Sequence, residues 1–189
     1  MIRWIVWPLL VLILFALLYT WFYGGFSQVK ITRSEAGPYT LVYDVHHGDY
    51  RKIHVVMDRV FDALNEKDEL FTTLGFGLYY DKPGDVETDS LRSIGGCILP
   101  SGTVSQSLTC GCKIAEFPQT DAVIAEFPYK GKASVIFGAM KAYPAINRYL
   151  MDHDIPDAPI LEIYDTPGKK IRYIVPVGLQ QQQLTVFLD

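Results

Sequence analysis

The sequence predicts an α+β fold: a duplicated β-α-β-β unit with its helices on one face of a curved sheet, preceded by one transmembrane helix. Three observations support this prediction: an uncharged apolar segment near the amino terminus, a self-match between the two halves of the remaining chain, and strand and helix periodicities that recur in each half. Of the 189 residues, 49% are hydrophobic and 20% charged, and the formal net charge is -4. This composition excludes a disordered chain, and the lack of a basic excess argues against a nucleic-acid binder.

The amino-terminal segment from Trp4 to Tyr23 contains no charged residue. A helix needs about 20 apolar residues to cross a bilayer, and the aromatic residues at both ends suit the two membrane interfaces. A cleaved signal peptide is the alternative, but bulky aromatic residues stand where a cleavage site needs small ones. We therefore expect an uncleaved anchor over residues 1–26 and a single-pass membrane localisation, with residues 4–23 in the lipid bilayer. The flanking charges are nearly equal, so the side of the membrane stays open.

An internal repeat organises residues 27–189, which we interpret as one domain. Residues 76–84 read FGLYYDKPG and residues 160–168 read ILEIYDTPG, a match at an offset of 84, and Gly48 matches Gly131 at an offset of 83. Two nearly equal offsets indicate duplicated supersecondary units. The expected parts are repeat one at about 37–99, a linker at 100–118 and repeat two at about 119–178.

Within each repeat, β-prone residues bounded by turns predict strands, and apolar residues at helical spacing predict one helix. In repeat one the strands are expected at 39–46, 74–80 and 91–99, and the helix at 50–64. In repeat two the strands are expected at 122–127, 159–165 and 171–175, and the helix at 132–151. Pro144 should break or kink that second helix. The run Gln180–Gln183 is expected to be a loop.

Glu162 is the most informative candidate residue. Alternate residues of a strand share a face, so Ile160, Glu162 and Tyr164 lie on the same side. A carboxylate among apolar neighbours is costly to bury unless it is paired, and the self-match places Leu78 at the corresponding position of repeat one. The pattern indicates a ligand pocket. The alternatives are a surface glutamate on an edge strand and a glutamate held in a structural hydrogen bond.

Two tyrosines, Tyr80 and Tyr164, correspond in the self-match and would form aromatic walls beside Glu162. A carboxylate with aromatic faces favours a cationic ligand, through charge pairing and cation–π attraction. The alternative is that the tyrosines simply pack on the sheet. The predicted ligand-binding residues are Glu162, Tyr164, Tyr80, Phe127 and Tyr129.

Histidines and cysteines form no recognisable metal site in the sequence. The histidines and a neighbouring carboxylate match no standard ligand spacing: His46, His47, His54 and Asp49. Reduced thiols, one disulfide and a metal site all stay open for the three cysteines, with reduced thiols favoured: Cys97, Cys110 and Cys112. No nucleotide-binding or nucleophile motif is present. We expect no metal and no cofactor.

Two short motifs resemble the GyrI-like effector-binding domain. They are Gly48-x-Tyr50 at the start of the first predicted helix and Leu161-Glu162-Ile163-Tyr164 on a late strand, and the resemblance covers roughly residues 29–178. It implies a fold of two β-α-β-β repeats that binds small, often apolar or cationic molecules in a cleft between the repeats. Some members of that family act as sensors of transcription regulators, and a few hydrolyse reactive small molecules.

An amino-terminal membrane helix followed by this domain also resembles the testis-expressed ER-phagy receptor family. The matching motifs are His46-x-Gly48-x-Tyr50, Phe127-Pro128-Tyr129, Tyr143-Pro144-Ala145 and Leu161-Glu162-Ile163-Tyr164. Receptors of that family carry a disordered carboxyl-terminal tail with an autophagy-adaptor motif, which we do not expect here. The resulting expectation is a membrane-anchored domain that binds a small molecule. The alternatives are an anchored adaptor that recruits a protein partner and, third, a small-molecule hydrolase that uses Glu162 as general base.

Overall fold

The structure, a computed structural model, describes residues 2–100 and 108–188, with side chains from Val6 onward. The helices are α1 (Ile2–Phe22), α2 (Ile53–Asp68), α3 (Lys132–Asp152) and α4 (Gln181–Thr185). The strands of the first half are β1 (Lys30–Ala36), β2 (Tyr39–His47), β3 (Leu74–Tyr79) and β4 (Arg92–Ile98). Those of the second half are β5 (Lys113–Phe117), β6 (Thr120–Pro128), β7 (Ile160–Asp165) and β8 (Lys170–Pro176).

All eight described strands form a single antiparallel sheet in the order β1-β6-β8-β7-β3-β4-β2-β5. This order is symmetric. If β1, β2, β3 and β4 are exchanged with β5, β6, β7 and β8 respectively, the same order is read in the opposite direction. The two halves meet where β3 pairs with β7, which we call the central seam. Helix α2 lies against β4 and β2 and also contacts β3, whereas α3 lies against β6 and β8, so the middle of the seam is left open between the two helices.

This architecture corrects the predicted fold class. The sequence predicts six strands in two β-α-β-β units, whereas the structure has a single sheet of eight strands. The additional strands are β1, which pairs with β6, and β5, which pairs with β2. Strand β5 lies inside the predicted linker 100–118, of which residues 101–107 are outside the described part of the chain.

The two helices predicted within the repeats correspond to α2 and α3, and both cover the same face of the sheet, which we call the helical face. The structure adds a helix that the sequence did not predict. Helix α4, over the run predicted to be a loop, follows a capping box between Gln180 and Gln183. Its Leu184, with the nearby Phe187, packs into an apolar core on the opposite face.

The first helix, α1, occupies the segment that the sequence predicts to cross a membrane. Crossing about 30 Å of hydrocarbon takes about 20 apolar residues in one helix. Among the described residues, no helix is both long enough and apolar enough to do so. This finding corrects the predicted transmembrane helix over 4–23 and the single-pass membrane localisation, and it leaves the lipid bilayer unsupported as a partner. The division into residues 1–26 and 27–189 stays a prediction.

The two long helices of the domain reach the sheet in different ways. Helix α2 buries residues at the three- and four-residue spacing of one helical stripe: Ile53, Val56, Val60 and Leu64. Helix α3 continues through Pro144 and buries small residues in its first half, among them Gly138 and Ala142. A Cβ at Gly138 would collide with the Tyr173 hydroxyl and lie 3.0 Å from the Phe127 ring. The missing side chain therefore lets α3 approach β8 and β6 closely.

Alternate residues of the seam belong to different sides of the sheet. Phe76 and Leu78 of β3 face the core on the side of the sheet away from α2 and α3, where Leu78 pairs with Leu161. On the helical face, the cross-strand pairs are Tyr79–Ile160, Gly77–Glu162 and Gly75–Tyr164. The helical face of β3 thus carries two glycines, and the seam forms an open floor between α2 and α3.

Candidate ligand-binding site

A cleft of about 1530 Å³ lies between α2 and α3, above the central seam. Its wall from the first half includes Tyr50, Ile53 and Met57, and its wall from α3 includes Val135, Ile136, Met140 and Tyr143. Small-molecule sites are typically clefts of about 300–1,000 Å³ with mainly apolar walls and a few placed polar groups. The cleft is therefore large enough for a drug-sized ligand.

Glu162 lies on the floor of this cleft and is 4% exposed. Its Oε1 accepts a hydrogen bond from the Tyr143 hydroxyl at 2.6 Å, and its Oε2 accepts one from the Tyr164 hydroxyl at 2.6 Å. Tyr164 is two residues along the same strand and shares its face, whereas Tyr143 reaches down from α3. Two charge-assisted hydrogen bonds of this length hold the carboxylate in one orientation.

The hydrogen-bonded group extends to Tyr79, whose hydroxyl lies 3.3 Å from that of Tyr164. A Cβ at Gly77 would lie 2.9 Å from the Tyr79 hydroxyl, so the glycine makes room for the ring to lie over the seam. The Tyr50 ring meets the Tyr79 ring edge to face, with 4.9 Å between centroids. Aromatic rings from β3, β7, α3 and the segment before α2 therefore surround one carboxylate.

Burial and hydrogen bonding act in opposite directions on the pKa of Glu162. Burial disfavours the charged carboxylate and raises its pKa, while the hydrogen bonds from Tyr143 and Tyr164 lower it, and the net shift is upward. Burial, followed by the nearby carboxylate charge, raises the pKa of both hydroxyls well above the usual range. The tyrosines therefore keep their protons and act as donors to Glu162.

The charge of Glu162 has no positive partner among the residues that the structure describes. The six described salt bridges all involve other carboxylates, namely Asp121, Asp49, Asp44, Asp157, Asp81 and Glu126. Two hydroxyl donors do not neutralise a buried carboxylate, which remains costly without a counter-charge. Chemically, such a group can attract a cation or, with its raised pKa, take up a proton as a general base.

Four of the five predicted site residues line the cleft: Glu162, Tyr164, Tyr129 and Tyr80. The Tyr80 hydroxyl, however, turns to the opposite face and donates to the Leu184 carbonyl at 2.7 Å. Phe127 is buried beneath α3 in the core that also contains Tyr173 and does not line the cleft. The assignment of these five residues to ligand binding stays a prediction.

Sequence reasoning missed Tyr79, and the reason is a one-residue shift in the self-match. The offset of 84 aligns Tyr80 with Tyr164 and Leu78 with Glu162. In a strand, a shift of one residue exchanges the two faces, and both Tyr80 and Leu78 belong to the core of the opposite face. An offset of 85, which relates Tyr79 to Tyr164, keeps both residues on the helical face.

Two more residues of the cleft, Tyr50 and Tyr143, occur in the sequence motifs quoted above without being assigned to the site. Val135, Ile136, Met140 and Tyr143 are spaced so that they share one face of a helix, and this spacing could have indicated the α3 wall of the cleft. The single proton of the Tyr50 hydroxyl is shared between the carbonyl oxygens of Asp81 and Arg92, which lie 3.0 and 2.9 Å from the hydroxyl oxygen, and this fixes the ring beside the cleft.

His54 lines the cleft, whereas the other three histidines and the three cysteines do not. Among the described residues, no group of three or more His, Cys, Asp or Glu side chains could hold a metal ion. The three cysteines are free thiols, and burial is the main cause that raises the pKa of Cys97 and of Cys112 to about 12. That no metal is needed stays a prediction.

Comparison with known proteins relates part of the sequence to testis-expressed protein 264 of Homo sapiens, 31% identical over 111 residues, and to its mouse homolog. No family model matches the sequence. The testis-expressed protein 264 homolog of Mus musculus is 33% identical over 111 residues, which cover 54% of this chain and 35% of that protein. The match shows distant homology over about half of the chain. The chain spans about a third of the length of the curated relative that it matches.

Solved structures share the fold at low sequence identity. The EcmrR C-terminal domain has a TM-score of 0.54 and 13% identity, with 78% of this chain and 96% of that chain covered. SAV2435 bound to tetraphenylphosphonium has a TM-score of 0.51 and 12% identity, with 78% of this chain and 93% of that chain covered. These similarities are compatible with the GyrI-like fold that the sequence resembles.

Proposed function

We propose that this chain binds a small apolar cation in the cleft between α2 and α3, with Glu162 as the counter-charge. The observation that carries the proposal is the buried carboxylate, which faces the cleft and has no Lys or Arg partner among the described residues. A bound cation would supply the missing charge where the surroundings raise the electrostatic attraction above its value in water.

The shape and lining of the cleft support an apolar ligand rather than a small inorganic ion. Tyr79, Tyr143 and Tyr164 surround Glu162, and aromatic faces attract a cation in addition to burying apolar surface. Tyr129 and Tyr80 extend the aromatic lining. Phe127 supports the site from the core beneath α3, by packing rather than by contact with the ligand.

A solved structure with the same fold adds to this support. SAV2435 is a protein bound to tetraphenylphosphonium, a cation covered by four phenyl groups. Tetraphenylphosphonium is therefore a suitable probe, and tetraphenylborate is its control because it has nearly the same shape and the opposite charge. We expect the chain to bind the phosphonium and to exclude the borate.

The substitution Glu162→Gln tests the role of the charge. It keeps the shape of the side chain and should weaken tetraphenylphosphonium by about 1.5–3 kcal/mol, the range for a hydrogen bond to a charged group, or roughly 10- to 150-fold. Glu116→Gln is the matched control because Glu116 is exposed on the edge strand β5 and lies outside the cleft. Calorimetric titration measures both. Unchanged phosphonium affinity in folded Glu162→Gln would refute the proposal.

A further inference from the structure

A second cavity continues from the cleft along the seam. Its volume is about 450 Å³, within the size range of small-molecule sites. It shares Met57, Asp58, Gly75 and Thr166 with the cleft, so the two spaces adjoin at one end. Beyond that junction, its lining is mainly apolar with two threonines: Phe61, Leu74, Gly96, Cys97, Pro167, Thr72 and Thr73.

The register of the seam places this cavity in line with Glu162. Along the helical face, Glu162 pairs with Gly77, and the next pair is Tyr164 with Gly75. Past that pair, β3 begins at Leu74 and β7 ends at Asp165, where the second cavity opens. A ligand that extends along the strands from Glu162 therefore passes over Gly75.

Gly75 determines the width of this passage. A Cβ at position 75 would lie 3.0 Å from the Met57 methyl group and 4.0 Å from Tyr164 Cδ2, so the Met57 methyl group lies against the Gly75 backbone and separates the two cavities. A glycine inside a strand often marks the place where a ligand approaches the backbone. Met57, on the other side, has an unbranched and flexible side chain that adapts to different shapes.

A second glycine keeps Met57 in this position. A Cβ at Gly95 of β4 would lie 3.0 Å from Ile53 Cγ1 and 3.1 Å from Met57 Cγ. The absence of that side chain lets α2 lie close to the sheet, which brings Met57 over Gly75. The passage is thus built from two glycines and one adaptable side chain.

We propose that the ligand is an elongated cation: its charged group lies at Glu162, and an unbranched apolar arm displaces the flexible Met57 side chain from above Gly75 and enters the second cavity. This inference rests on the proposed function, because it assumes a cation at Glu162. It adds that the second cavity selects for the length of the arm.

Alkyltriphenylphosphonium ions with arms from methyl to octyl test the proposal. Each methylene buried in the second cavity should tighten binding by about three- to fourfold. Phe61→Ala should reduce this gain per methylene and leave the methyl compound unaffected, because Phe61 lines only the second cavity. The matched control is Val55→Ala, an exposed position on α2 outside both cavities, which should retain the full gain.

Gly75→Val gives an independent test at the passage itself. It should abolish the dependence on arm length; because Gly75 also lines the cleft, the readout is the gain per methylene within the variant, with the melting temperature as the check of folding. An equal gain per methylene in wild type and Phe61→Ala, or no gain in wild type, overturns the inference and leaves the proposed function standing. Failure of the methyl compound to bind wild type overturns the proposed function and this inference together.

Discussion

Removing the Tyr143 hydroxyl should move the pH at which the cleft becomes able to bind a cation. Only ionised Glu162 attracts a cation, so affinity should rise as pH rises through the raised pKa of this carboxyl. Tyr143 donates to Oε1 at 2.6 Å and thereby lowers that pKa against the larger effect of burial. Tyr143→Phe keeps the ring in the wall and removes only the donor.

The size of the effect follows from the strength of this hydrogen bond. A hydrogen bond to a charged group contributes about 1.5–3 kcal/mol, and its loss disfavours the carboxylate relative to the carboxylic acid by that amount. The midpoint of affinity against pH should therefore move to higher pH. At the acid end, Tyr143→Phe should bind tetraphenylphosphonium roughly tenfold or more weakly than wild type, and on the alkaline plateau the two should agree.

Calorimetric titration across pH measures both curves, and Tyr149→Phe is the matched control. Tyr149 is also on α3, but its ring stacks on His153 outside the cleft. We expect its curve to coincide with that of wild type. A Tyr143→Phe midpoint that stays in place or moves to lower pH would contradict the assignment of Tyr143 as a donor to the ionised form.

Two further predictions concern stability, measured by thermal denaturation. Tyr173 is fully buried and its hydroxyl has no partner among the described residues, so Tyr173→Phe should stabilise the fold by about 1–3 kcal/mol. Tyr80→Phe should instead destabilise the fold by about 1 kcal/mol, because it removes the hydrogen bond to the Leu184 carbonyl. A stability change of the same sign in both variants would refute this reasoning. Because the pKa of Glu162 is raised in the folded state, the stability of wild type should fall as pH rises from the unfolded to the folded pKa. Glu162→Gln lacks this titrating group, so its melting temperature should increase relative to that of wild type between acid and neutral pH. A difference in melting temperature that does not change with pH would contradict this prediction.

The parts of the fold with a buried face could be predicted from the sequence. Strands β3 and β7 and helices α2 and α3 have apolar residues at the spacing of their elements, so their positions follow from periodicity. The polar edge strand β1 could not be found in this way. It reads KITRSEA and pairs on one side only, so most of its side chains are exposed and no apolar alternation marks it.

Of the candidate site, the buried acid could be predicted from the sequence, but not all of the tyrosines that surround it. Glu162 stands out because a carboxylate interrupts an apolar strand. The choice of Tyr80 over Tyr79 depended on a self-match anchored in the turns that follow the strands, where Pro83 corresponds to Pro167. Turns can match at an offset that differs by one from that of the strand faces, and only the pairing of β3 with β7 resolves the difference.

The most direct test of the central claim is the structure of the chain in complex with tetraphenylphosphonium. We expect the cation in the cleft between α2 and α3, with Glu162 as the nearest charged group and phenyl rings against Tyr79 and Tyr164. A cation bound outside this cleft, or inside it with the Glu162 carboxylate turned away, would contradict the claim that this buried acid is the counter-charge of the ligand.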